Sequence, residues 1–83
     1  GHRGLKERAE ATIAEASDLT RRVERRDDYE QIRIEHFAAW EDLEVARSEL
    51  ADENYRAALE RAEDVRLAMI TREAAWAARS AAR

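Results

Sequence analysis

Apolar residues recur every three or four positions along this chain, and no proline interrupts them. That spacing places side chains along one face of an α-helix, whereas a half-buried strand needs alternation at every second position. The apolar face changes direction along the chain, which indicates separate helical segments. We therefore predict an all-α fold, a bundle of three antiparallel helices near residues 4–26, 28–51 and 53–80.

The first segment is apolar on one side only, as expected of a helix that lies on the surface of a bundle. The residues that share this side are Leu5, Ala9, Thr12, Ile13, Ala16, Leu19 and Val23. The pattern predicts that this helix packs along one edge only and leaves its other side to solvent.

The second segment is apolar on two sides. Its broad face holds Tyr29, Ile32, His36, Ala39, Trp40, Leu43, Ala46 and Leu50, with Phe37 beside it. On nearly the opposite side lie Ile34, Ala38 and Val45, here called the α2 strip. A helix with two apolar sides is usually buried on both. This segment is therefore either the central helix of the bundle or presents one side to another molecule.

Charged residues indicate the first turn. Four arginines, here called the arginine cluster, end the first segment: Arg21, Arg22, Arg25 and Arg26. Cations are favoured at a helix C-terminus and acids at the next N-terminus. Asp27 with Glu30, or Asp28 with Gln31, has the spacing of a capping box. We predict a tight turn without glycine here.

The second turn has a weaker signal. Asp52, Glu53 and Asn54 favour a helix start, but the apolar face shifts by only about a quarter turn there. The alternative is one helix over residues 29–80, about 75 Å long, in a lopsided hairpin that must dimerise. The third segment aligns Tyr55, Ala58, Leu59, Ala62, Val65, Met69, Ile70 and Trp76.

Composition predicts a small core. Hydrophobic residues form 45% of the 83 residues, but many are alanine, and 41% are charged with a net charge of −4. We expect the core to rest on Leu19, Ile32, Trp40, Leu43, Leu59, Val65 and Met69. Burial at about 25 cal/mol per Å² barely exceeds chain entropy at this size, so we expect oligomers. Residues 4–83 form one predicted domain, and residues 1–3 resemble a tag remnant without order.

No pattern in the sequence indicates catalysis, a cofactor or a metal. The chain has no cysteine, and it has neither a nucleophile elbow nor a glycine-rich phosphate loop. A di-metal site in a bundle needs Glu-x-x-His pairs, but Arg33 stands three positions before His36. We interpret His36 as a hydrogen-bonded core residue, with a proton switch as the alternative reading.

These observations favour a non-catalytic helical assembly or protein–protein interaction module, of coiled-coil type, that self-associates or binds a partner helix. The interface we predict consists of Ile34, Ala38, Val45 and Leu67. The alternative is a nucleic-acid-binding accessory protein that uses the arginine cluster. The acids beside that cluster and the negative net charge count against phosphate binding. Without a long apolar run or a visible signal peptide, we expect a cytoplasmic protein with no membrane span.

Overall fold

The computed structural model describes residues 2–26 and 33–82, with side chains from residue 4 onward. Over these residues it contains three helices and no strand: α1 (His2–Glu24), α2 (Arg33–Ala51) and α3 (Tyr55–Ala81). The bundle is elongated, with extents of 48 × 21 × 14 Å. The predicted all-α fold of three packed helices is therefore confirmed.

Ion pairs between the helices show how the helices run relative to one another. Along α1, Glu15 meets Arg66 and Arg22 meets Glu73, so α1 and α3 run parallel. Along α2, residue 49 meets residue 61 and residue 35 meets residue 72, so α2 runs antiparallel to α3. Helix α1 packs most extensively against α3.

Both ends of α1 and of α3 are described, and each of these ends differs from the sequence prediction by one or two residues. Helix α1 begins and ends two residues earlier than predicted, and its last carbonyls accept bonds from Arg25 and Arg26 with the tighter i→i−3 spacing. The predicted start of the second helix, the proposed capping boxes and the core position Ile32 lie outside the described residues. The alternative of one helix over residues 29–80 is wrong, because the helix breaks between Ala51 and Tyr55.

A Schellman motif makes that break. The amide of Asn54 donates to the carbonyl of Glu49 at 2.8 Å, and the amide of Glu53 donates to that of Leu50 at 3.0 Å. These are the two bonds that define the motif. Glu53 has a φ of 66°, the left-handed conformation that the motif requires and that glycine adopts most easily. Asn54 precedes α3 as its N-cap residue, but its side chain makes no capping bond.

The core consists of three buried clusters stacked along the bundle. The largest holds Ala16, Leu19, Val23, Ala39, Leu43, Val65 and Met69. The other two are made mainly of alanine with one larger side chain each: Ile13 with Ala46 and Ala62, and Leu59 with Ala9 and Ala58. Five of the predicted core residues are buried as expected: Leu19, Leu43, Leu59, Val65 and Met69.

Trp40 was predicted in the core but is only partly buried and packs against the rim of the largest cluster. Its indole N–H donates to a carboxylate oxygen of Glu24. A buried indole needs such a partner, and the polar bond keeps one edge of the ring near solvent. Trp40 therefore joins α1 to α2 at the edge of the core.

Ion pairs join the outer edges of the helices. Arg61 binds Glu49 through two bonds of 2.8 and 3.2 Å, which ties α3 to α2 beside their turn. The hydrogen bond from Arg61 lowers the pKa of Glu49, and the same bond raises the pKa of Arg61. Arg66 donates to Glu15 at 3.0 Å, which raises the pKa of Arg66 and joins α3 to α1.

Candidate interaction surface

The α2 strip lies on the outside of the bundle. Ile34 is 83% exposed and Val45 is 43% exposed, with Ala38 exposed between them. The buried residues of the same helix are His36, Ala39, Leu43 and Ala46. At 100° per residue these two sets point in nearly opposite directions. The core therefore takes one side of α2 and leaves its second apolar side uncovered by the described residues.

Helix α3 adds further exposed apolar surface. Leu67 is 54% exposed, and it lines a shallow depression of about 490 Å³ with Ala68, Thr71, Arg72 and Ala75. Leu67 thus lies on the outer side of α3, as the predicted interface requires. Whether the four predicted interface residues bind anything stays a prediction.

A groove between α2 and α3 connects the two exposed regions. It has a volume of about 220 Å³, and Ala38 and Ala68 stand on its opposite walls above the buried Met69. Ala68 and Arg72 line both this groove and the depression on α3. The strip, the groove and the depression therefore form one continuous surface, here called the α2–α3 face.

The charges on the α2–α3 face are divided along its length. Asp42 and Asp64 line the groove on the side of Ala68 that is nearer the α2–α3 turn. Arg72 lies on the other side of Ala68 and approaches Glu35 across the groove at 3.8 Å. That distance is long for an ion pair, and both side chains are partly solvated, so the pair is weak. The end of the face near the turn therefore carries two acids, while the other end carries the weak pair of Arg72 and Glu35.

The arginine cluster lies at the C-terminal end of α1, and two of its members bind one carboxylate of α3. Arg22 and Arg26 both bind the carboxylate of Glu73, at 3.3 and 2.8 Å. Arg26 also lies over the ring of Trp76, 4.2 Å from its centroid, in the geometry of a cation–π contact.

The other two arginines point outward. Arg21 pairs with Asp18 at 3.0 Å and lies 5.7 Å from the centroid of the Trp40 ring. Arg25 is exposed and makes no ion pair with any described residue. The four arginines therefore share one helix end, but Arg22 and Arg26 both point toward the carboxylate of Glu73 and not into open solvent. Three of the four arginines therefore contact side chains of α2 or α3.

His36 is buried in the core, with 1% of its surface exposed, as the predicted core position requires. Among residues 2–26 and 33–82, no three acidic or histidine side chains come together in a way that would hold a metal ion. Nor does any helix in the described part of the chain have the length and hydropathy that a bilayer crossing needs.

Two exposed apolar side chains were not assigned to the surface from the sequence. Phe37 was placed beside the core face, but it is 65% exposed, and Ile70 was placed on the buried side of α3 but is 40% exposed. Phe37 follows Ile34 by three positions, so a helical wheel centred on the α2 strip assigns it to the outer side. Ile70 lies at the border of the α3 core face, where periodicity alone does not decide burial.

Comparison of the chain with protein-family models, with curated proteins and with solved structures finds no match.

Proposed function

We propose that this chain is a non-catalytic helical assembly module that self-associates or binds a partner helix through its α2–α3 face. The observation that carries the proposal is the α2 strip, whose large side chains are exposed although they repeat at helical spacing. A single exposed apolar side chain is ordinary on a protein surface. A set that lines one helix and continues into a groove is typical of interaction sites.

The thin core supports the same proposal. Two of the three buried clusters are built mainly from alanine, which removes little apolar area from water. Small domains with such cores commonly gain stability by oligomerisation. Covering Ile34, Phe37 and Leu67 would bury several of the largest apolar side chains that the fold leaves exposed.

The experiment compares mass in solution for the wild type and for the double variant Ile34→Glu/Val45→Glu. Light scattering at micromolar concentration should give at least a dimer for the wild type and a lower mass for the variant. Both positions are exposed, so circular dichroism should show unchanged helix content. A matched control is Ala11→Glu/Ala14→Glu, two exposed positions on α1, which should keep the wild-type mass. If the wild type is a monomer at every concentration, self-association is excluded.

A second candidate function is nucleic-acid binding by the arginine cluster, favoured by the exposure of Arg21, Arg22 and Arg25 at one helix end. We rank it second because Asp18 and Glu73 already neutralise part of this charge, and the whole chain is acidic. We expect no DNA or RNA binding at physiological salt. Salt-sensitive binding that is lost in Arg22→Gln/Arg25→Gln would reverse this ranking.

A further inference from the structure

The turn between α2 and α3 contains a strained residue at its centre. Among the described residues other than glycine, Glu53 alone has a positive φ, at 66°. In that conformation the Cβ atom of an L-residue crowds the backbone, and only glycine avoids the crowding. A continuous helix through the turn would place Glu53 in the right-handed conformation that its side chain prefers. The turn therefore stores strain that joining α2 to α3 would release.

Few backbone hydrogen bonds would have to change for α2 and α3 to join. The amide of Asp52 already donates to Ser48, and that of Ala58 to Asn54, both with the i→i−4 spacing of an α-helix. The first amides of a helix have no acceptor within that helix, and the side chain of Asn54 does not supply one to α3. A continuous helix would offer these amides the carbonyls of residues 51–53.

The sequence of the turn does not oppose a continuous helix. Residues 51–55 contain neither glycine nor proline, the two residues that most disfavour a helix interior. Joined as one helix, residues 33–81 would extend over about 75 Å, whereas the longest dimension of the bundle is 48 Å. Helix α3 would then leave α1 and α2 of its own chain, and its apolar face would need the same two helices of another copy.

A second copy supplies the contacts that α3 would lose. When two chains exchange α3, each bundle is built from α1 and α2 of one copy and α3 of the other, so the same side chains meet. Helix α1 packs most extensively against α3, and the bond from Arg66 to Glu15 would then join the two copies. The exchange keeps the buried core and removes the strain at Glu53. Exchange of an element through a short strained hinge is a low-cost route to dimers.

We propose that a second state of this chain is a domain-swapped dimer, here called the exchanged dimer, in which α2 and α3 form one helix through Glu53 and α3 packs on the partner copy. The folded chain with its turn intact is here called the closed chain. The exchange does not use the α2–α3 face, so the inference is independent of the proposed function.

Concentration decides between the closed chain and the exchanged dimer. The short turn holds α3 beside its own bundle at an effective concentration of about millimolar order. A second copy competes when the chains fold at a comparable concentration. Because α3 must leave the core before it can exchange, the exchanged dimer forms during refolding and not between folded chains.

The first test compares two variants of position 53 that are refolded from urea over a range of concentrations up to about 1 mM. Glu53→Ala keeps the Cβ atom and the strain, whereas Glu53→Gly relieves the strain in the closed chain and leaves none for the exchange to release. Strain of this kind changes the populations about tenfold for each chain. Glu53→Gly should therefore have a dissociation constant about a hundredfold above that of Glu53→Ala, measured by size exclusion. Equal constants for the two variants would overturn the inference.

Asp52→Gly is the matched control. The amide of Asp52 has helical spacing in the closed chain and would keep it in the exchanged dimer, so glycine there destabilises both states alike. Asp52→Gly should refold to the same proportion of dimer as the wild type. Loss of the dimer in this control would show that any glycine in the turn prevents it, and would contradict the role of strain at Glu53.

The second test measures a distance within one chain. Because the chain has no cysteine, spin labels can be attached to Glu35→Cys/Arg72→Cys, two positions whose native side chains approach to 3.8 Å across the groove. In the exchanged dimer the two positions of one copy lie on one helix, about 55 Å apart. Dipolar electron paramagnetic resonance of the refolded dimer, with an excess of unlabelled chain, should show this long distance. A short distance alone would overturn the inference.

The outcomes also separate the exchanged dimer from association through the α2–α3 face. Ile34→Glu/Val45→Glu changes residues that the bundle leaves exposed, so it should form the exchanged dimer as the wild type does. If every dimer is lost in that variant and Glu53→Gly has no effect, the exchange is wrong and association through the face stands. A wild type that refolds only to monomer at about 1 mM would also overturn the exchange.

Discussion

Replacing Glu53 with glycine should stabilise the protein. Glu53 occupies the left-handed position of the turn between α2 and α3, with a φ of 66°. A residue with a Cβ atom loses about 1–2 kcal/mol in that conformation. Glycine avoids this strain but loses about 0.5–1 kcal/mol more conformational entropy on folding. The two ranges differ by about 0–1.5 kcal/mol, and the middle value of about 0.75 kcal/mol corresponds to a rise in Tm of about 3–6 °C for a domain of this size.

The assay is urea unfolding followed by far-ultraviolet circular dichroism, with every variant at the same protein concentration because self-association shifts apparent stability. Glu53→Ala is the first control, since it removes the charge but keeps the Cβ atom and should not give the gain. Asp52→Gly is the second. The amide of Asp52 donates to Ser48 with helical spacing, so glycine there should lower stability by about 0.5–1 kcal/mol. A Glu53→Gly variant no more stable than Glu53→Ala would refute the assignment of strain to this position.

Two further perturbations test the core and the ion pairs by equilibrium unfolding. Leu43→Ala should lower the free energy of unfolding by about 2–5 kcal/mol, because Leu43 is fully buried in the largest cluster. Ile34→Ala on the exposed strip should change the free energy of unfolding of the monomer by less than about 0.5 kcal/mol. Equal losses of stability in the two variants would contradict the division of α2 into a buried and an exposed side. Glu49 has a lowered pKa because Arg61 donates a hydrogen bond to it. The ionised carboxylate therefore stabilises the fold fully above the unfolded carboxyl pKa of about 4.3, and this stabilisation is lost as the pH falls through the lower pKa of the folded state. Glu49→Gln should therefore remove part of the acid sensitivity of the wild type, and a pH profile identical to that of the wild type would contradict this role.

The spacing of apolar residues predicted the helices, because side chains three or four positions apart lie on the same face of a helix and are buried together. The two apolar sides of α2 were visible in the sequence for this reason, and the structure places Ile34 and Val45 outside and Leu43 inside. Periodicity does not predict contacts between helices. The bond from Trp40 to Glu24 holds Trp40 at the rim, and nothing in the spacing of either residue indicated it.

The turn between α2 and α3 was predicted incompletely for another physical reason. A Schellman motif is usually indicated by glycine at its left-handed position, but this chain has Glu53 there. The backbone hydrogen bonds donated by Asn54 and Glu53 maintain the turn although no glycine is present there. The sequence therefore left one long helix as an alternative, which only the backbone conformation excludes.

The division of charge on the α2–α3 face also required the structure. Asp64 and Arg72 are visible in the sequence as charges at helical spacing, which normally indicates a solvated side of a helix. The structure shows instead that Asp64 and Arg72 line one groove, with Ala38 and Ala68 on its opposite walls.

The central proposal is that the chain self-associates or binds a partner helix through its α2–α3 face, with self-association as the form that is tested first. Sedimentation equilibrium of the wild type over a range of micromolar concentrations tests it most directly. We predict a mass of at least twice the 9.6 kDa of one chain, and a fall toward the mass of one chain in Ile34→Glu/Val45→Glu at unchanged helix content. A wild-type mass of 9.6 kDa at every concentration, or an oligomer that the double variant leaves intact, would contradict it.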